Sequence, residues 1–131
     1  MNQTVDETRY TRGLAKLTEL GADADEEIAP MGDLGRYIIE FGLGDIYSRG
    51  GLSLRDRELA AVAMLTAMGG RETQVRFHLG AALKVGLTSE QLEELILQTV
   101  PFAGFPTAIN AFNILKEVVA EPKIHGSDER G

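Results

Sequence analysis

The sequence predicts a single all-α domain, a bundle of about six helices. Three observations carry that prediction. Helix-opening signatures at Ser53 and Thr88 each precede a long stretch of helically spaced apolar residues. Glycines and prolines fall where those stretches should stop. No stretch of useful length alternates apolar and polar residues as a strand with one wet face does.

Taken in order, residues 5–20 carry Leu14, Leu17 and Leu20 on one helical face, and 21–25 reads as a turn. A helix is expected over 33–41 with Asp33 as its N-cap, ended or loosened by Gly42 and Gly44, and 48–51 reads as a loop. Ser53 and Asp56 have the spacing of a capping box, opening a helix to about Met68 that Gly69 and Gly70 stop. The next helix fits 72–85, with Gly86 where a left-handed residue closes a C-terminus. Thr88 and Gln91 form a second capping box for a helix to about Val100, where Pro101 kinks or ends it. Pro106 suits the first turn of a last helix reaching about Ala120. Residues 1–3 and 122–131 read as frayed tails of one domain spanning 1–131, with His125 solvent-exposed and inert.

The bulk numbers narrow the function. At 131 residues, 44% hydrophobic and 25% charged, the chain is of a size and composition for one globular core. A formal charge of −7 argues against nucleic acid as a partner. There is no cysteine, which removes disulfides, thiolate metal sites and thiol nucleophiles together. With two histidines, His78 and His125, no metal site is expected. The first ten residues are polar, so no signal peptide is expected, and no stretch approaches the ~20 apolar residues of a membrane span. A cytoplasmic location and no membrane partner are the expectation.

Two polar residues stand on apolar faces. Glu58 has Leu54, Ala61 and Val62 at helical spacing. It is either a boundary glutamate paired with Arg55 or Arg57, or a buried carboxyl, and burial makes a carboxylic acid a better proton carrier. His78 has Val75, Ala81, Ala82 and Val85 around it. Alone it reads as an ordinary hydrogen-bonded core histidine. The short Gly69-Gly70 turn, however, makes the two helices antiparallel neighbours, so that Glu58 could face His78. A carboxylate orienting an imidazole is a common acid–base arrangement. Arg49, Arg57, Arg71 and Arg76 lie near these two in sequence, either as solvated surface charges or as clamps for a substrate carboxylate. The turn from Phe102 to Pro106 is either plain turn chemistry or an apolar wall with a close backbone approach at Gly104.

The run Gly44-Asp45-Ile46-Tyr47-Ser48-Arg49, then Gly51-Leu52-Ser53, Arg57-Glu58-Leu59, His78-Leu79-Gly80-Ala81-Ala82-Leu83, Val85-Gly86-Leu87-Thr88 and Ala103-Gly104-Phe105-Pro106 resembles the carboxymuconolactone decarboxylase family from about residue 33 to 120. The resemblance implies an AhpD-like helical fold assembled as a homotrimer or homohexamer. It also implies one of two chemistries. The alkylhydroperoxidase branch uses a Cys-x-x-Cys-x-x-x-His motif with an upstream glutamate. Carried onto this chain, that motif puts Arg71 and Gln74 at the cysteine positions and keeps His78 and Glu58. A thiol peroxidase would need cysteines supplied in trans. The decarboxylase branch needs no thiol. Two departures bear on substrate: Gly50 follows Arg49 where that branch usually has proline, and Phe102, after an added Pro101, stands where it usually has tyrosine.

On this basis His78 is expected as the acid–base residue and Glu58 as its orienting or relaying partner, in a decarboxylase that uses no cofactor. Arg49, Arg57, Arg71, Gln74, Phe102 and Gly104 are the expected substrate contacts, the substrate being a small anion. Arg71 is favoured by a spacing of seven from His78 and Arg49 by the family pattern. The rival expectations are another enzyme on the same scaffold and a non-catalytic helical oligomer in which Glu58 and His78 are interior polar residues.

Overall fold

The computed structural model describes residues 3–121, with side chains from residue 8 onward. His125 and the expected tails lie outside the described residues, except for Gln3, which opens the first helix. Helices α1 (Gln3–Glu19), α2 (Ala24–Glu27), α3 (Asp33–Tyr37), α4 (Leu54–Met68), α5 (Glu72–Lys84), α6 (Ser89–Ala103) and α7 (Phe105–Ala120) follow in order. A 3-10 turn (Ala29–Met31) precedes α3, and a π-helix (Ile38–Tyr47) continues it. No strand occurs among the described residues. The architecture is all-α, as expected.

The second half follows its local signals closely. The Thr88 capping box is complete: the Gln91 N–H donates to Thr88 Oγ1 at 3.0 Å and the Thr88 N–H to Gln91 Oε1 at 3.0 Å. At Ser53 only the forward half forms, with the Asp56 N–H donating to Ser53 Oγ at 3.0 Å. Aspartate is one methylene short of the reciprocal reach, and Asp56 pairs instead with Arg55 at 3.6 Å. Gly86 has φ 111°, the left-handed backbone expected after α5.

Several boundaries differ from expectation. The segment read as a turn at 21–25 contains the start of the short α2. Gly32, not Asp33, caps α3, and Asp33 is its first residue. Pro101 does not end α6, which runs on to Ala103. A proline there removes one backbone donor, and the loss falls in the last turn. The largest difference is at 42–47: the chain does not leave the helix but widens into a π-helix as far as Tyr47. Gly44 is required inside that segment, because a Cβ there would stand 2.4 Å from the Arg9 carbonyl oxygen. Gly13 plays the same part on α1, where a Cβ would meet the Ile39 carbonyl oxygen at 2.0 Å. The two helices therefore touch backbone to backbone.

Two apolar cores result. One joins α4 to α7 through Val62, Leu79, Leu92, Ile96 and Leu115. The other packs Leu17 and Leu20 of α1 and Ile39 and Leu43 of the π-helix against Ala81 of α5. Helix α5 thus faces both, which puts its remaining residues at the seam. Arg9 ties the second unit together by donating to both Asp45 oxygens, at 3.1 and 2.8 Å. Arg12 adds bonds to Asp45 at 3.3 Å and to the Gly44 carbonyl at 3.0 Å.

Candidate functional site

The reversal between α4 and α5 rests on Gly69 and Gly70, both with positive φ, at 72° and 70°. It lays α5 back along α4 and brings Glu58 against His78. Glu58 Oε1 lies 2.7 Å from His78 Nδ1. The carboxylate is fully buried, while the imidazole side chain is 22% exposed. The ring is held edge-on by Phe77, centroid to centroid 4.9 Å. Nε2 makes no hydrogen bond among the described residues. A buried acceptor therefore fixes one ring nitrogen and leaves the other available at the surface, the geometry an acid–base imidazole needs. The alternative in which Glu58 pairs with Arg55 or Arg57 at the helix boundary does not occur.

A third side chain feels the charge of Glu58, and the motif reading did not single it out. Tyr47, the last residue of the π-helix, is half-buried. Burial, and next the charge of Glu58, push its phenol well above the ordinary tyrosine value, with Arg57 opposing. The hydroxyl therefore stays protonated at neutral pH. Glu58 Oε2 is buried and has no hydrogen-bond partner among the described residues. Tyr47 lay in view within the Gly44–Arg49 run, but only Arg49 was singled out from it. Its link to Glu58 crosses a helix end and a loop, so helical spacing carried no signal of it.

The arginines separate into three groups. Arg57 stands by the site: its guanidinium lies 5.9 Å from the Tyr47 ring centroid, its Nη2 donates to the Arg49 carbonyl at 3.2 Å, and its Nε is buried without a partner. Arg49 contributes that backbone carbonyl, while its own side chain is exposed. Arg71 is not on a helical face with His78, because α5 begins at Glu72. Arg71 is its non-helical cap (φ −129°, ψ 41°) and folds back to donate to the Gly69 carbonyl at 2.9 Å. Arg76, two residues before His78 and so on the other side of α5, is tied to α7 by Glu117 and by Glu121, the latter at 3.6 Å.

Gln74 is exposed, and Phe102 is 81% exposed at the end of α6. Gly104 joins α6 to α7 with φ 92°. Among the described residues no hydrogen bond, ion pair or ring contact ties Arg71, Gln74 or Phe102 to the Glu58–His78 pair. An open groove of about 330 Å³ between α5 and α7 is lined by Glu72, Thr73, Arg76, Asn110, Asn113 and Glu117, and includes neither Glu58 nor His78. No helix among the described residues is long and apolar enough to cross a membrane.

Comparison with known proteins gives a consistent answer. Residues 32–117 match the model of the carboxymuconolactone decarboxylase family. The chain is 34% identical over 119 residues to a 4-carboxymuconolactone decarboxylase of Acinetobacter baylyi (strain ATCC 33305 / BD413 / ADP1), covering 86% of this chain and 88% of that one. It is 32% identical over 85 residues to an uncharacterized 15.0 kDa protein in the nqo9-nqo10 intergenic region of Paracoccus denitrificans, covering 64% of this chain and 63% of that one. The matched span holds Tyr47, Glu58 and His78 together, and the chain belongs to the carboxymuconolactone decarboxylase family.

Proposed function

We propose that this chain is a carboxy-lyase that removes CO2 from an unsaturated lactone carboxylate, 4-carboxymuconolactone or a close relative of it, by acid–base catalysis. The observation that supports the reading most is the Glu58–His78 contact of 2.7 Å, with a sealed carboxylate behind a partly exposed imidazole. Family membership and the name of the Acinetobacter relative supply the reaction class. The lack of cysteine is in keeping with a reaction that needs no thiol.

The step balances without a cofactor. The bond from the lactone carbon to the carboxylate breaks and CO2 leaves. Its electron pair delocalises through the conjugated double bond toward the lactone carbonyl oxygen, giving a dienolate-like anion. One proton, delivered by the His78 imidazolium, then returns the anion to a neutral lactone. Glu58 holds the imidazole in orientation and stabilises its charged form. Arg57 is the best placed of the arginines to meet an anionic substrate, with Arg49 beside it.

The reading extends to assembly. Phe102 and Gly104 can wall a substrate only if another surface covers them, and Met64, Met68, Phe105 and Ile109 are also large apolar residues exposed in the single chain. A homotrimer or homohexamer, working in the cytoplasm, is the state in which we place the enzyme.

The test is direct. The purified protein is incubated with 4-carboxymuconolactone and CO2 release is followed, for the wild type and for His78→Ala. General acid–base catalysis contributes roughly 100- to 10,000-fold, so His78→Ala should lose at least two orders of magnitude in kcat while keeping its fold. Full activity in a folded His78→Ala would overturn the assignment.

A further inference from the structure

Among the described residues, the buried side-chain polar atoms without a hydrogen-bond partner are Arg57 Nε, Glu58 Oε2, Thr66 Oγ1 and Thr107 Oγ1. The first two belong to the site described above. The two threonines stand apart from it, on α4 and α7, and line one cavity.

A helical threonine has an easy way to satisfy its hydroxyl, by donating to a carbonyl three or four residues back. Thr99, buried on α6, does so to the Ile96 carbonyl at 2.7 Å, and Thr18 does so to the Leu14 carbonyl at 3.1 Å. Thr66, 2% exposed, and Thr107 do not. A hydroxyl buried without a partner costs free energy, and native proteins keep few of them. That both exceptions line one cavity points to a shared partner inside it.

The cavity lies where the end of α4 meets the start of α7. Thr66 is in the last turn of α4 and Thr107 in the first turn of α7. Gly69, which caps α4, also lines it, and a Cβ there would stand 3.3 Å from Thr107 Cγ2, so the two helix ends touch. Val75, Ala111 and Ile114 add apolar walls. The volume is about 10 Å³. That is about the least that holds one water molecule, and it is too little for an organic ligand. Water also fits the chemistry, because each hydroxyl offers one donor and two lone pairs and so can bond a water in either sense.

We propose that the cavity binds one structural water, which bridges Thr66 Oγ1 and Thr107 Oγ1 and ties α4 to α7 beside the Gly69-Gly70 reversal. The proposal is independent of the Glu58–His78 chemistry, and its test needs no substrate.

The experiment combines a high-resolution crystal structure of the wild type with urea unfolding of Thr66→Val, Thr107→Val and the double variant. Valine keeps the branched shape and removes the hydroxyl, and the two possibilities then differ in sign. With a bridging water, each single variant takes away one of its partners and strands the other hydroxyl, so the unfolding midpoint should fall by roughly 0.5 M. The loss in the double variant should be smaller than the sum of the two, since the hydroxyls share one partner. Without the water, each variant removes a buried unpaired hydroxyl, and the midpoint should rise. The crystal structure should show an ordered water within hydrogen-bond distance of both Oγ1 atoms, and it decides the matter if a valine variant fails to fold. A midpoint that fails to fall in either single variant, losses that simply add in the double, or hydroxyls turned to their own helix carbonyls with no water between them would overturn the proposal.

Discussion

The α4–α5 seam and the π-helix each bury a glutamate, and they differ in the partner they offer it. Glu58 faces the His78 imidazole, a neutral or cationic partner according to its protonation. Glu40, 5% exposed, faces Arg36, which stays charged at every working pH: Arg36 Nη1 donates to Glu40 Oε1 at 3.2 Å across one helical turn. Arg36 is itself stacked over Tyr37 at 4.7 Å and open to solvent. One region thus holds a carboxylate in a fixed ion pair, which serves the fold. The other holds it against an imidazole, the arrangement on which the proposed acid–base role rests. Burial is common to both, so burial alone does not mark a site. The partner is what differs between them.

The comparison breaks most sharply under the same substitution in both places. Glu58→Gln should lower kcat for CO2 release by about 100-fold or more, the scale of an acid–base contribution. Glu40→Gln should leave kcat unchanged and cost about 1 kcal/mol in urea unfolding, the value of one polar interaction. Equal losses of activity in the two variants would erase the distinction.

A second probe moves the whole N-terminal unit. Gly13→Ala would put a methyl 2.0 Å from the Ile39 carbonyl oxygen, so α1 and the π-helix must part. The expected cost is about 3 kcal/mol, at the upper end for overpacking, read as a lowered denaturation midpoint. Because the π-helix carries Tyr47, over whose ring Arg57 lies, activity should fall with it. Unchanged stability would mean the two helices do not meet as described.

The smallest effect concerns pH. Hydrogen bonding from Arg9 holds the Asp45 carboxyl below its ordinary value of 3.8, against the opposing effect of burial. A lowered folded-state value means the contribution is present above the unfolded value and is lost as pH falls through the folded one. Stability should therefore be flat in this respect at neutral pH and decline below about pH 4, and the decline should be shallower in Asp45→Asn. A slope unchanged by Asp45→Asn would remove Asp45 from the account.

Much of this was legible in the residues. Ser53, Thr88, Gly86 and the Gly69-Gly70 turn are local signals, settled by backbone chemistry within a few residues, and each acts where the sequence places it. The family likeness was equally legible, because it lay in the order and spacing of short runs along most of the chain. The antiparallel turn was also enough to bring Glu58 and His78 into one expectation. What failed were inferences about direction and width. Arg71 was assigned a helical face, but a cap residue does not share the helix geometry, and its side chain turns back to Gly69. Arg76 was weighed as one of four possible clamps, and lies on the other side of α5, where Glu117 holds it. Gly44 was read as ending or loosening the helix, and the helix does widen there, but its missing Cβ answers a tertiary contact with Arg9 that no local pattern encodes. Tyr47 depends on the π-helix, and the wider turn of that helix has no signature in apolar spacing.

The central claim is that the Glu58–His78 pair moves the proton in a decarboxylation. Its most direct measurement is single-turnover CO2 release from 4-carboxymuconolactone in deuterated buffer, comparing the wild type with His78→Gln, each verified as folded by circular dichroism. The account predicts that the wild type releases CO2 and places solvent-derived deuterium on the product carbon, while His78→Gln slows the turnover by at least 100-fold. Wild-type turnover in a folded His78→Gln, with the same deuterium placement, would contradict it.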